Sequence, residues 1–475
     1  MPKITTSKMR IRMLVVLILI FVLGFSVIIY RLFKLQILEG ETYQGLALQQ
    51  QTRSTPIGAK RGTIYDTNGN VLAQSATVWN VCISPAQLDK NKLDSTAAGL
   101  AEILDVEKAD ILEKAADTNS YYKRIKVRVE RSVADQVLEF TTENDINGVF
   151  FEPDTKRYYT YGSLASTLLG FTNYDNQGAY GLEAHYDKVL SGTPGMVVSA
   201  KDAWGADMPY KYQQMYAAKD GNSVVLTIDE SVQHFLERHL ETAIVEHQIG
   251  NRAAGIVMDV KTGAIIAMST KPDFNPNDPY TLQDPAAQAE LDQYVSGTKE
   301  YNDKRQQLWY DQWRNKAISD PYEPGSVFKI ITASTAVDNN LVSLNDSFFC
   351  SGVLKVSDRD IHCWQRRGHG QQTFVQGMQN SCNPVFMAVG QRIGGQTLYD
   401  YMVNFGLKDP TGIDLPGEAG GIMPSLANLK KEGMVELSST SFGQSFKVTP
   451  LQLITAVSAS VNGGKLMQPY ILKQV

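Results

Sequence analysis

The sequence predicts an α+β chain carried on a single N-terminal membrane helix. Three observations predict it. Met13 to Tyr30 is an apolar run without one charged residue. Two pairs of β-rich runs meet at short turns, Asn68-Gly69 and Lys261-Thr262-Gly263, which is the pattern of antiparallel hairpins. Helical spacing recurs over 95–116 and 132–144, and a long apolar helix opens after Pro324-Gly325. The 475 residues allow two or three domains. A net charge of −5, with no basic block beyond the first dozen residues, excludes nucleic acid as the expected partner.

Residues 1–12 form a basic cytoplasmic tail with Lys3, Lys8, Arg10 and Arg12, and 13–31 the transmembrane anchor. The apolar run is long, is closed by Arg31 and Lys34, and is followed by no small-x-small cleavage site, so it is read as uncleaved. The positive-inside rule then places everything after Arg31 outside the cell membrane. Residues 31–52 continue the helical pattern. Residues 32–220 read as one α+β unit, with the Asn68-Gly69 hairpin, a strand over Val78–Ile83 and two surface helical stretches. Its segment 157–195 is rich in Gly and Tyr and is expected to be bent and to serve packing. Residues 196–220 form a polar extended connection. A second unit, 221–475, opens with the strand Val224–Ile228 and a helix capped by Asp229. Its central hairpin joins Ala253–Val260 to Ala264–Met268, and 271–322 is a long polar surface loop with some helix.

The chemistry gathers at Ser326 and Lys329. They are one helical turn apart, so their side chains meet on one face. A serine hydroxyl needs a base, and a lysine kept neutral by burial can serve. Ser120/Lys123 and Ser296/Lys299 have the same spacing and read as solvated helix pairs. The break before Ser326 and the apolar helix after it set that pair apart. Ser381 and Asn383 precede another apolar helix, with Pro384 at its start. A hydroxyl there can relay a proton, and an amide can bind a peptide carbonyl. Ser343/Asn345 and Ser460/Asn462 share that spacing without the context.

These residues, with Arg61-Gly62-Thr63-Ile64-Tyr65-Asp66, Arg157, Gly170-Phe171, Gly181-Leu182-Glu183, Gly368-His369-Gly370 and Ser441-Phe442-Gly443-Gln444, make the chain resemble the class B penicillin-binding proteins over nearly its whole length from Met13. The resemblance implies a pedestal, or dimerisation-type, domain over 32–220 and a serine beta-lactamase/transpeptidase-like domain over 221–475, an antiparallel sheet with helices. It implies that Ser326 is acylated by D-Ala-D-Ala stem peptides of peptidoglycan or by beta-lactams. Lys329 would be the base, Ser381 the proton relay and Asn383 a positioning amide, with Gly443 and Gln444 binding substrate. A membrane glycosyltransferase is the implied partner. The family's third motif, Lys-Thr-Gly, follows Ser-x-Asn. Here Lys261-Thr262-Gly263 precedes Ser326 and reads as turn chemistry. The third motif and the C-terminal strands of the sheet are therefore expected beyond Val475, in a longer chain. A D-Ala-D-Ala carboxypeptidase, a beta-lactamase on the same fold and an inactive scaffold are the alternatives.

Four cysteines remain: Cys82, Cys350, Cys363 and Cys382. Cys82 reads as buried and inert, and Cys350 is placed to pair with Cys363. Free thiols are the expected state; the alternative is a Cys363–Cys382 bridge, which would distort the Ser381/Asn383 loop and give it a redox role. His362, Cys363 and His369 lack the spacing of a tetrahedral site, so no metal and no other cofactor is expected.

Overall fold

The structure, a computed structural model, describes residues 7–34, 52–200 and 214–475. The expected tail residue Lys3, the helical continuation over 35–51 and the connection over 201–213 lie outside the described residues. The chain divides into two compact units, 1–59 with 193–219 and 60–192 with 220–475. In the first, α1 (Ser7–Phe33) contains Ile11–Phe33, 23 residues long and apolar enough to cross a membrane, with none of its side chains buried. At 1.5 Å per residue it reaches roughly 34 Å, against a hydrocarbon core of about 30 Å. The same unit holds a three-stranded antiparallel sheet in which Gly195–Ala200 pairs with both Thr52–Ile57 and Gln214–Tyr216.

The second unit begins with a hairpin. β1 (Ile64–Tyr65) and β2 (Val71–Ile83) are antiparallel, and Asp66 Oδ1 accepts from the Asn68 and Asn70 amides at 2.8 and 2.7 Å. β2 is one strand of 13 residues, longer than the expected Val78–Ile83. The stretch over 95–116 is two helices, Leu93–Leu104 and Lys108–Ala115, broken where Asp105 turns left-handed at φ 50°. β3 (Lys123–Val129) and β4 (Val149–Tyr159) both pair with β2. The Gly- and Tyr-rich segment then closes over the sheet. Glu183, fully buried, takes Arg61 Nε on one oxygen at 2.5 Å and Arg157 Nε on the other at 2.7 Å. Arg61 also reaches Asp187 at 2.6 Å. Three stretches singled out in the sequence thus meet in one buried ionic knot.

β5 (Val224–Leu226) leads into α2 (Glu230–Glu246), whose first turn is capped by Asp229 accepting from the Val232 amide at 3.0 Å. β6 (Ala253–Met258) and β7 (Ile265–Lys271) form the expected antiparallel hairpin. Its turn is tied by Asp259, which accepts from the Lys261 amide and the Thr262 hydroxyl, each at 2.9 Å. Lys261-Thr262-Gly263 is therefore a turn. The stretch 271–322 differs from the expected surface loop. It carries α3 (Lys299–Trp313) and buries Phe274, Leu291, Leu308, Trp313, Ala317 and Ile318. These anchors are scattered among polar residues, so no periodicity revealed them. α4 (Lys329–Asp338) follows, then four short strands, β8 (Ser347–Cys350), β9 (Val353–Val356), β10 (Arg359–His362) and β11 (Gly370–Thr373), paired as β8 with β11 and β9 with β10. α5 (Asn383–Ile393), α6 (Pro450–Val461) and β12 (Leu472–Gln474) follow, with shorter helices between α5 and α6.

The main sheet runs β12-β5-β1-β2-β3, with β4 also on β2. β1 and β5 are parallel, Ile64 beside Val224. Strands from both sides of residue 220 therefore share one sheet. They also share a core, in which Ile64, Leu72 and Leu168 pack with Val224, Ile265 and Ile471. A second core, around Phe328, Ile331, Phe386 and Met387, carries the site.

Candidate active site

Ser326 sits on a single 3-10 turn, Gly325–Phe328, that runs directly into α4. Phe328 is buried and anchors the turn, packing its ring edge-on to Phe446 at 4.8 Å. This arrangement leaves Ser326 exposed and carries Lys329 inward, to 1% exposure. The Lys329 Nζ is 3.2 Å from Ser326 Oγ, 2.8 Å from the Ser381 carbonyl, 3.0 Å from Ser381 Oγ and 2.8 Å from Asn383 Oδ1. It also lies 5.6 Å from the centre of the Phe386 ring. The sequence-predicted four are thus brought together around one amine.

Local structure explains the meeting. Ser381, just past the short helix Phe374–Gln379, takes a left-handed conformation, φ 46°, that turns its carbonyl and hydroxyl toward Lys329. Asn383 is the first residue of α5, with Pro384 behind it, and its Nδ2 donates to the His362 carbonyl at 3.2 Å. Trp364 Nε1 donates to the Asn380 carbonyl at 2.9 Å. The loop is therefore held from the β10 side.

Burial pushes the Lys329 amine down to about 8, while the nearby Cys363 and Cys382 sulfurs pull the other way. Its hydrogen-bond partners are hydroxyl, carbonyl and amide oxygens rather than carboxylates, so it lacks the strongest support for its charge. A neutral fraction large enough to take a proton from Ser326 exists near neutrality. The arrangement can make an exposed hydroxyl nucleophilic and offers a second hydroxyl on the far side of the amine as a proton path.

Gly443 packs against the backbone of Gly325, the residue before Ser326. Its carbonyl accepts from the Gly325 amide at 2.9 Å, its φ is 94°, and a Cβ there would stand 1.8 Å from the Gly325 carbonyl oxygen. Gln444 is exposed beside it, its amide donating to the Ser439 carbonyl at 3.1 Å. Two neighbours had no sequence signal. Glu323 Oε1 accepts from the Ser445 amide at 3.1 Å, and Thr332 Oγ1 donates to the Ser441 carbonyl at 2.8 Å, tying α4 to this segment. A separate cleft of about 490 Å³, lined by Tyr180, Tyr310, Trp313, Arg314 and Leu415, does not include Ser326 or Lys329.

The cysteines agree with the free-thiol reading and stand in a grouping the sequence did not suggest. All four are free thiols and buried, so neither a Cys350–Cys363 nor a Cys363–Cys382 bridge is formed. The expectation of no tetrahedral ligand set rested on His362, Cys363 and His369. His362 is exposed, but Cys363 and His369 meet Cys350 and Cys382, with the four ligand atoms all within 4.8 Å of one another. The four come from separate element ends, so sequence spacing carried no sign of them.

Residues 253–475 match the penicillin binding protein transpeptidase domain, and residues 56–226 the penicillin-binding protein dimerisation domain. The chain is 37% identical to stage V sporulation protein D of Bacillus subtilis (strain 168) over 463 residues, 96% of this chain and 66% of that protein. It is 28% identical to the probable peptidoglycan D,D-transpeptidase PenA of Neisseria meningitidis serogroup A, covering 89% of this chain and 66% of PenA. Among solved structures, penicillin binding protein 2X from Streptococcus thermophilus superposes with a TM-score of 0.67 at 26% identity, covering 89% of this chain and 61% of that one. The chain spans about two thirds of the length of the curated relatives it matches.

Proposed function

The chain belongs to the class B penicillin-binding proteins, and from that premise we propose that it acts as a membrane-anchored peptidoglycan D,D-transpeptidase through an acyl-enzyme at Ser326. Ser326 Oγ attacks the carbonyl carbon of the penultimate D-Ala of a stem peptide, and Lys329, as the neutral amine, takes the hydroxyl proton. The bond to the terminal D-Ala breaks, and the proton passes by way of Ser381 to the departing nitrogen. The amino group of a second stem peptide then attacks the ester. Its surplus proton returns to Ser326, and a cross-linking amide is left. Asn383 positions Lys329, and Gly443 and Gln444 border the substrate. A beta-lactam acylates the same hydroxyl.

The observation that carries this reading is the single buried amine reached by Ser326, Ser381 and Asn383 together. The test is labelling of the full-length protein with a fluorescent penicillin. We expect a covalent adduct that disappears in Ser326→Ala. An adduct of equal yield in Ser326→Ala would overturn the assignment. Catalytic turnover of free beta-lactam would identify a hydrolase, and no adduct on folded wild type a scaffold.

The N-terminal helix serves as an uncleaved anchor that leaves the bulk of the chain outside the membrane, where stem peptides are. Thiol reagents that cannot cross membranes are expected to reach cysteines placed on the surface after Arg31 but not before Arg12. A membrane glycosyltransferase, which makes the strands to be linked, is the proposed partner. Crosslinkers placed along α1 in living membranes are expected to capture it, and failure to do so from any position would argue against direct contact.

A further inference from the structure

We propose that Cys350, Cys363, His369 and Cys382 bind one zinc ion in a closed, four-coordinate structural site. Three of the four are fully buried cysteines, at 1%, 1% and 0% exposure, and their sulfurs and a His369 ring nitrogen lie within 4.8 Å of one another. A tetrahedron with zinc–sulfur bonds near 2.3 Å has edges of about 3.7 Å, so each ligand needs to move inward by about an ångström or less. Cys363 Sγ is already 3.7 Å from His369 Nδ1. The His369 Nε2 is buried with no hydrogen-bond partner. A half-buried imidazole with one nitrogen against a thiol and the other buried and unpaired is costly as it stands. Coordination of one nitrogen gives the ring a bond of the kind the site lacks.

The backbone is shaped to bring these residues together. Gly352 and Gly368, both at positive φ, pack so closely that a Cβ on Gly368 would lie 2.3 Å from the Cys350 carbonyl oxygen, and one on Gly352 would lie 2.1 Å from that of Arg366. The Cys363 amide donates to the Gly352 carbonyl at 2.9 Å. Cys350 ends β8, Cys363 follows β10, His369 precedes β11 and Cys382 caps α5. β8–β11 and β9–β10 are two-stranded ribbons of four residues per strand, a size that is marginal without a staple.

Three thiolates with one imidazole form a closed structural zinc set, leaving no position for water and hence no hydrolytic role. Binding releases three protons and leaves the site with one net negative charge: Zn²⁺ with three thiols and a neutral imidazole gives the tris-thiolate complex and three H⁺. No electron is exchanged. Cys382 lies between Ser381 and Asn383, so the ion bolts the loop that holds Lys329. The site stands whether or not Ser326 is acylated.

The test is the metal content of full-length protein in detergent, prepared with reductant and without chelator. We expect about one zinc per chain, falling at least about fivefold in Cys350→Ser and in His369→Ala and unchanged in Cys82→Ser. Should the ligand variants fail to fold, wild type decides alone. Stripped of metal and titrated with cobalt(II), it is expected to show thiolate-to-cobalt charge-transfer absorption saturating at one equivalent. With zinc it is expected to release about three protons per ion. Wild type that holds no more zinc than Cys350→Ser, or that shows no thiolate-to-cobalt band, overturns the proposal. So does a Cys363–Cys382 disulfide in protein prepared without reductant that zinc cannot prevent from forming.

Discussion

At the scale of single residues, the proposed base is buried while the proposed nucleophile is not. The Lys329 amine, lowered to about 8 by burial, must be neutral to accept the proton. Its neutral fraction therefore rises from about a tenth at pH 7 to about nine tenths at pH 9. The second-order rate of acylation by a beta-lactam is expected to climb about tenfold over that interval and then level off; a rate flat from pH 6 to 9 would remove Lys329 as the base. Lys329→Arg keeps a cation but cannot yield a neutral amine, and acylation is expected to drop by about 10²–10⁴ with the fold intact by circular dichroism. Lys329 and the three residues around its Nζ were legible because each sits at or beside the start of an apolar helix, where short motifs point inward. Gly443 was legible only as a member of a matching segment. Its contact with the Gly325 backbone depends on an approach of two loops that no local pattern encodes. The Cys350–Cys363–His369–Cys382 cluster was not legible at all, since the chain folds back three times to assemble it.

Elements show the same division. Turns with side-chain ties were readable: Asp66 under Asn68-Gly69, Asp259 under Lys261-Thr262-Gly263, and Asp229 at the head of α2. Pairings between distant short strands were not. Ile64–Tyr65 and Val224–Leu226 are too short to carry a period, so their union in one sheet is a tertiary result. The knot of Arg61, Arg157 and Glu183 binds β1, β4 and the helical turn Gly181–His185. Removing Glu183 leaves two buried guanidinium groups without their shared carboxylate. Glu183→Ala is expected to lower stability by about 3–5 kcal/mol in a urea titration, while penicillin labelling of the fraction that remains folded is unchanged. Gly443→Ala tests the contact with Gly325. The added methyl meets the Gly325 carbonyl at a positive φ, so the turn bearing Ser326 must shift; acylation by the folded protein is expected to fall by about tenfold to a hundredfold, alongside a measurable drop in melting temperature.

For the whole molecule, the exposed apolar helix α1 predicts how the protein partitions. Alkaline carbonate is expected to leave it in the membrane pellet, and removal of residues 1–34 to move it to the supernatant; a full-length chain extracted by carbonate would deny the anchor. The other long-range feature is the parallel pair of Ile64 and Val224, reinforced by the Thr63 amide donating to Ser223 Oγ across a separation of 160 residues. In the proposed orientation, a chain threaded outward from its N-terminus delivers the earlier of these strands long before the later one. Until then β1 faces water along one bare edge, next to a β2 that is already full length. Resistance of the early portion to protease in pulse-chase translocation is therefore expected only after residue 226 has cleared the exit, and the interval before that is when a periplasmic or surface holdase would be needed.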